Sequence, residues 1–129
     1  MAEIRSYRDL VVWQKGVDLT QLVYRLTQTF PQDERFGLVS QMRRSAVSVP
    51  ANIAEGYGRG RRVEYMRFIE IARGSLCELQ THAEVARRMG WLRAEALDEF
   101  LARAEKMERL LSGLLRSLRN RPKPSPPTA

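Results

Sequence analysis

The sequence predicts an all-α protein, an up-and-down four-helix bundle whose second helix is kinked at a proline. Apolar residues recur at spacings of three and four through four long segments, which is the pattern of one-sided helices. Proline or glycine separates those segments, at Pro31, in the GYGRG run of residues 56–60, and at Gly90. The 129 residues amount to one domain, large enough to bury a core without disulfide or metal.

Each element follows from local signals. Ser6 followed by Asp9 resembles a capping box with Asp in place of Glu, and Leu10, Trp13, Val17, Thr20 and Tyr24 then repeat along one helical stripe. Pro31 closes helix one. The polar loop PQDERFG leads into helix two, and GYGRG ends it with three glycines that permit positive backbone angles. Helix three runs from about residue 63 to 89 with Phe68, Ala72, Leu76, Leu79 and Ala83 on one face, and Gly90 is its stop. Helix four begins near residue 93 and ends near 118, so the bundle domain spans residues 1–118. Residues 119–129 form a basic tail with four of the six prolines, unable to extend the helix. This tail is either a solubilising end or a segment that docks a partner.

Helix two is the unusual element. Gln41, Ser45, Ser48, Asn52 and Glu55 stack along one narrow stripe, beside a core-type stripe of Leu38, Met42, Val49, Ile53 and Tyr57. Pro50 interrupts it at a cost of about 3 kcal/mol in a helix interior, yet the periodicity continues on both sides. One kinked helix is therefore expected, with Ser45 and Ser48 bonding carbonyls near the kink.

The run QMRRSAVSVPANIAEGYGR, with YMRFIEIARGSLCELQTH after it, closely resembles the four-helix-bundle family named for proteins encoded in intervening sequences of bacterial 23S ribosomal RNA genes. The resembling positions are Gln41, Arg44, Ser48, Pro50, Asn52, Ile53, Ala54, Glu55 and Gly56, then Gly74, Ser75 and Glu78. With DLVVWQKGVDLTQLVYRLTQTFP and FGL upstream, the likeness covers roughly residues 7–92. It implies a four-helix bundle that assembles as a ring-like homopentamer with no established enzymatic activity. The chain is similar, more distantly, to the accessory protein of diversity-generating retroelements, which implies a basic pentamer engaging a reverse transcriptase and nucleic acid. Family membership speaks to architecture more than to function.

Helices one and four carry more apolar surface than one seam needs. Val12, Leu19, Val23, Leu26 and Phe30 lie beside the Leu10–Tyr24 stripe, and Leu97, Leu101, Ala104, Leu111, Leu115 and Leu118 lie beside Phe100, Met107, Leu110 and Leu114. This is either a wide core stripe or a second face buried between subunits. Among the polar residues, antiparallel packing of helices two and three would let Arg44 meet Glu78 or Glu70 and let Asn52 bridge nearby groups. A buried ionic group persists only when paired. Gln41, Arg44, Ser48, Asn52, Glu55, Ser75 and Glu78 therefore read as a register-fixing network, with a ligand or partner site as the alternative.

Catalytic and metal chemistry find little support. His82 and Cys77 are each the only residue of their kind, and five residues on a helix separate them by about 140°. No second His or Cys accompanies them, no Glu-x-x-His pair exists, and GYGRG lacks the Gly-Lys-Ser/Thr ending of a phosphate loop. No enzyme activity, metal or cofactor is expected. The lone cysteine excludes an intramolecular disulfide, no apolar run approaches the roughly 18 residues of a membrane span, and MAEIRSYRDL has no signal core. A soluble cytoplasmic protein is expected.

Charge gives the positive clue. Twenty-two Lys and Arg face 15 Asp and Glu, and the preponderance of arginine favours bidentate phosphate contact. Arg59, Arg61 and Arg62 crowd the turn after helix two and Arg67 follows one turn later, while Arg87 with Arg88 and the run Arg116, Arg119, Arg121 and Lys123 lie elsewhere. Tyr57 and Tyr65 flank the first cluster as candidate stacking platforms for unpaired bases. A ring would repeat each cluster and multiply a weak contact. The competing interpretation makes these arginines ordinary solvated surface and the tyrosines core. The sequence thus predicts a non-enzymatic oligomeric scaffold that binds nucleic acid, RNA above all by analogy with where the family's genes reside. The alternative is a protein-only adaptor ring with a polymerase-like partner.

Overall fold

The computed structural model describes residues 3–120. Its helices are α1 (Val11–Thr27), α2 (Leu38–Gly58), α3 (Arg62–Arg88) and α4 (Ala94–Arg119), with 3-10 turns at Tyr7–Asp9 and Gln32–Glu34. Among the described residues there is no strand. Each helix packs on the next and α4 closes on α1, so the chain runs up, down, up and down around one core. Phe100, Met42, Ile53, Ile69, Leu76, Leu79 and Leu111 are wholly buried there. Helix α4 ends one residue past the expected bundle limit, and residues 121–129 of the tail lie outside the described residues.

Local chemistry explains most boundaries. The Ser6 hydroxyl accepts from the Arg8 N–H at 3.2 Å, and Asp9 Oδ2 accepts from the N–H groups of Ser6 and Arg5 at 3.2 and 2.9 Å. This box caps the short 3-10 turn rather than α1, because Leu10 is extended and α1 starts after it. Helix α3 ends in a Schellman motif: the Trp91 N–H reaches the Ala86 carbonyl at 2.9 Å, the Gly90 N–H reaches that of Arg87 at 3.0 Å, and Gly90 has φ +81°. Of the three glycines in GYGRG only Gly60 takes a positive φ. Gly56 has a different reason to be glycine, since a Cβ there would lie 2.7 Å from that of Phe68. It is a point of very close approach between α2 and α3.

Helix α2 is continuous through Pro50. Proline lacks the N–H that would bond the Ala46 carbonyl. Helix α1 supplies the replacement: Thr20 Oγ1 lies 3.1 Å from that carbonyl and 2.9 Å from the Gly16 carbonyl, one hydroxyl shared between two acceptors. Gly16 makes the approach feasible, because a Cβ there would already sit 3.2 Å from the Pro50 ring.

That contact decides which face of α1 is core. Val12, Leu19, Val23 and Phe30 are buried, while Leu10, Trp13, Val17 and Thr20 are half-buried and Tyr24 is exposed. The Leu10–Tyr24 stripe is thus the outer edge of α1, and the stripe beside it is the core face. In α4 both apolar stripes serve the core, with Leu101, Leu110 and Leu114 half-buried at its margins. The wide core stripe is the correct account of α4.

Candidate nucleic-acid interface and the polar seam

The up-and-down path gathers charge that is scattered in sequence. The α2–α3 turn, the N-terminal turn and the last turns of α4 all lie at one end of the bundle. There a cleft of about 520 Å³ is lined by Leu10, Tyr57, Arg61, Arg62, Tyr65 and Leu114, among others. Helix α4 is held beside the start of α3 by Arg119, which bonds Glu70 at 3.1 Å. Arg73 adds a second tie, meeting Glu108 at 3.0 Å and Glu70 at 3.6 Å. The hydrogen bond and charge of Glu108 hold the Arg73 proton affinity above its ordinary value. A raised affinity adds stability that is complete below the unfolded pKa and fades only at strongly alkaline pH, so this tie is constant across the neutral range. Arg116 and Arg119 thus join the α2–α3 arginines at one end, although the two clusters are far apart in sequence.

The individual cations differ in how far they are committed. Arg59 bonds Glu55 at 2.7 Å and packs over the Phe68 ring, and Arg67 approaches Glu64 at 3.8 Å. Arg61 and Arg116 are exposed and in no ion pair among the described residues. Arg62 is half-buried in the cleft. Tyr57 and Tyr65 meet edge to face, with centroids 5.9 Å apart and planes at 88°. Both are half-buried, so part of each ring stays open to the cleft.

The polar stripe of α2 divides into three parts. Ser48 Oγ and Ser75 Oγ are 2.7 Å apart, and the Asn52 amide donates to the Ser48 carbonyl and hydroxyl at 2.7 and 2.9 Å. Ser45 is buried; its hydroxyl bonds the carbonyls of Gln41 and Met42 and lies 3.3 Å from His82 Nδ1. Gln41, Arg44, Glu55 and Glu78 are exposed. The ion pair expected between Arg44 and Glu78 or Glu70 is not formed: Glu70 is engaged by Arg73 and Arg119, Glu78 lies 3.8 Å from His82, and Glu55 serves Arg59. The buried part of the seam is held by neutral groups, which escapes the desolvation cost of a buried charge. Arg44 and Glu78 flank a shallow polar cleft containing Ser45, Ser48 and Ser75.

Cys77 is exposed and His82 faces α2, so the two do not form a pair. Among the described residues no group of three or more His, Cys, Asp or Glu is arranged to hold a metal ion, and no helix is long and apolar enough to cross a membrane.

A family model described as 23S rRNA-intervening sequence protein matches residues 8–113. The chain belongs to this intervening-sequence protein family. Its fold is shared with a crystal structure of a protein of unknown function from the S23 ribosomal protein family of Bacteroides thetaiotaomicron, at a TM-score of 0.75 and 20% identity, covering 82% of this chain and 96% of that one. No curated protein matches the chain. In this intervening-sequence protein, Gly56 of the resembling run has a steric reason against Phe68, and Ser48, Asn52 and Ser75 have bonding reasons along the α2/α3 seam. Reading the sequence missed the docking of Gly16 and Thr20 on Pro50. The available signal was a glycine inside an otherwise good helix, the residue type that close backbone approach demands.

Proposed function

We propose that this intervening-sequence protein is a non-enzymatic cytoplasmic scaffold, a homopentameric ring with α2 bent at Pro50, that binds nucleic acid and especially RNA through its arginine-bearing end. The observation that carries this reading is the convergence of Arg61, Arg62, Arg116 and Arg119 on the end that holds the tyrosine-lined cleft. Arginine forks suit phosphate oxygens, and binding of this kind reads backbone charge rather than sequence. Several of the acids at that end are already engaged, Asp9 by backbone N–H groups, Glu55 by Arg59 and Glu64 by Arg67, so Arg61 and Arg116 keep their charge for an outside partner. Repetition around a ring raises the effective strength of each weak contact. The bend is supported by the bond that the Thr20 hydroxyl makes to the Ala46 carbonyl, the acceptor that Pro50 leaves without its helical donor.

One observation favours the adaptor alternative. One face of the tyrosine pair is covered by the edge of its neighbour and Arg59 is engaged with Glu55, which leaves that end less open stacking face. A protein-only ring, with a reverse transcriptase as the partner that the distant resemblance suggests, would need no such face. Purification at low ionic strength separates the two. Co-purifying RNA that high salt strips away supports the first reading, and an absorbance ratio of pure protein at low salt supports the second.

A further inference from the structure

Exposed apolar surface is unevenly distributed on this bundle. Helix α4 leaves no large hydrophobic side chain exposed, whereas α3 exposes Val63, Ile71 and Val85. At the helical step per residue these three fall within about 80° of one another, and Gly74 and Glu78 fall inside the same arc. Gly74 is exposed in mid-helix, and a Cβ built there meets nothing within 4 Å. Packing within the chain therefore gives no reason for a residue that weakens a helix interior, whereas close approach by another chain does. Glu78 falls on the same face, and His82 Nε2 lies 3.8 Å from its carboxylate.

A complementary surface lies elsewhere on the same chain. Helices α1 and α2 enclose a shallow apolar groove of about 640 Å³ whose lining includes Val17, Thr20, Tyr24, Arg25, Val47 and Pro50. Tyr24 and Val47 are exposed in it. Arg43 lies over the Tyr24 ring at 4.5 Å, so the groove carries two guanidinium groups and no carboxylate lines it.

We propose that the outer face of α3 in one copy seats in the α1/α2 groove of the next, with Gly74 allowing the helices to approach closely and Glu78 directed at Arg25 and Arg43. The inference rests on the proposed ring and adds which faces meet. A second copy is the occupant that matches both surfaces at once, apolar to apolar and carboxylate to guanidinium. Because the two surfaces are different and on different helices, the contact is head-to-tail and repeats from copy to copy, which is the condition for a closed ring. A face-to-face contact between two α3 helices would stop at a dimer.

Cys77, the only cysteine, is exposed on the flank of the α3 face and supplies the test. A Val47→Cys variant places a second thiol in the groove. Mild oxidation should give a ladder of dimers, trimers and larger species on a non-reducing gel, absent in the wild-type protein. In parallel, Gly74→Arg and Val85→Glu, both at exposed positions, should lower the solution mass to the 14.9 kDa of one chain while leaving helical circular dichroism intact. An assembled Val47→Cys protein that gives no crosslink or dimers alone, or an assembly undisturbed by both α3 substitutions, overturns this contact and leaves the ring standing. A wild-type mass of one chain overturns the ring itself.

Discussion

Pro50 and Thr20 show how one missing donor shapes its surroundings. The Ala46 carbonyl loses its partner inside α2, and a hydroxyl from another helix takes the role. Thr20→Val should therefore destabilise the protein by about 1–2 kcal/mol, the usual cost of leaving such a group unpaired. In a Pro50→Ala background the restored N–H bonds that carbonyl, and the same substitution should cost much less. Urea denaturation of the four proteins at one protein concentration measures the coupling; equal costs in both backgrounds would show that the hydroxyl is not the proline's substitute. Gly56 makes a sharper steric demand, and Gly56→Ala should cost roughly 1–3 kcal/mol by forcing α2 and α3 apart at Phe68. Arg44 is the contrasting case. It is exposed and unpaired with Glu78, so Arg44→Glu should change unfolding free energy by no more than about 0.5 kcal/mol. A loss of several kcal/mol would mean that the residue is buried against something after all.

At the scale of elements, the four helices and their stops were legible because periodicity and punctuation are local properties. Gly90 announces the end of α3, and the core stripes of α2 and α3 lie where spacing puts them. The core face of α1 was not legible. Leu10, Trp13 and Val17 are as apolar as Val12, Leu19 and Val23, and only the docking of Gly16 and Thr20 on Pro50 turns one stripe inward. The polar stripe of α2 was legible as a feature but not in its partners. Pairing of Arg44 with Glu78 is reasonable from helix order, yet Glu70 lies within reach of Arg119, 49 residues away, and the seam is closed by Ser48, Ser75 and Asn52 instead. Likewise, the union of the α2–α3 arginines with those of α4 depends on topology, which spacing within a helix does not encode. The tie between α3 and α4 can be tested directly. Glu108→Ala removes the close partner of Arg73, whose Nε is buried without a hydrogen bond, and should speed hydrogen exchange in the middle turns of α4 while sparing α2. Uniform acceleration across all helices would show that the tie does not act locally.

The whole molecule is a four-helix core with an uneven surface. One end concentrates arginine, α4 is apolar only inward, and α3 presents an apolar face with a glycine that the chain's own packing does not use. The proposed ring unites these features: assembled through α3 and the α1/α2 groove, it would repeat the arginine end around its axis and present it to a polyanion. The direct test is binding of labelled RNA and DNA oligonucleotides across a salt series, comparing the wild-type protein with Arg59→Ala/Arg61→Ala/Arg62→Ala. A ring that binds through this end should show affinity that falls linearly on a log–log salt plot. In the triple variant, binding should weaken and the slope should drop by roughly 1 to 2 for single-stranded ligands, at unchanged solution mass. Binding that is absent at low salt, or that the triple variant retains with the same slope, would contradict it.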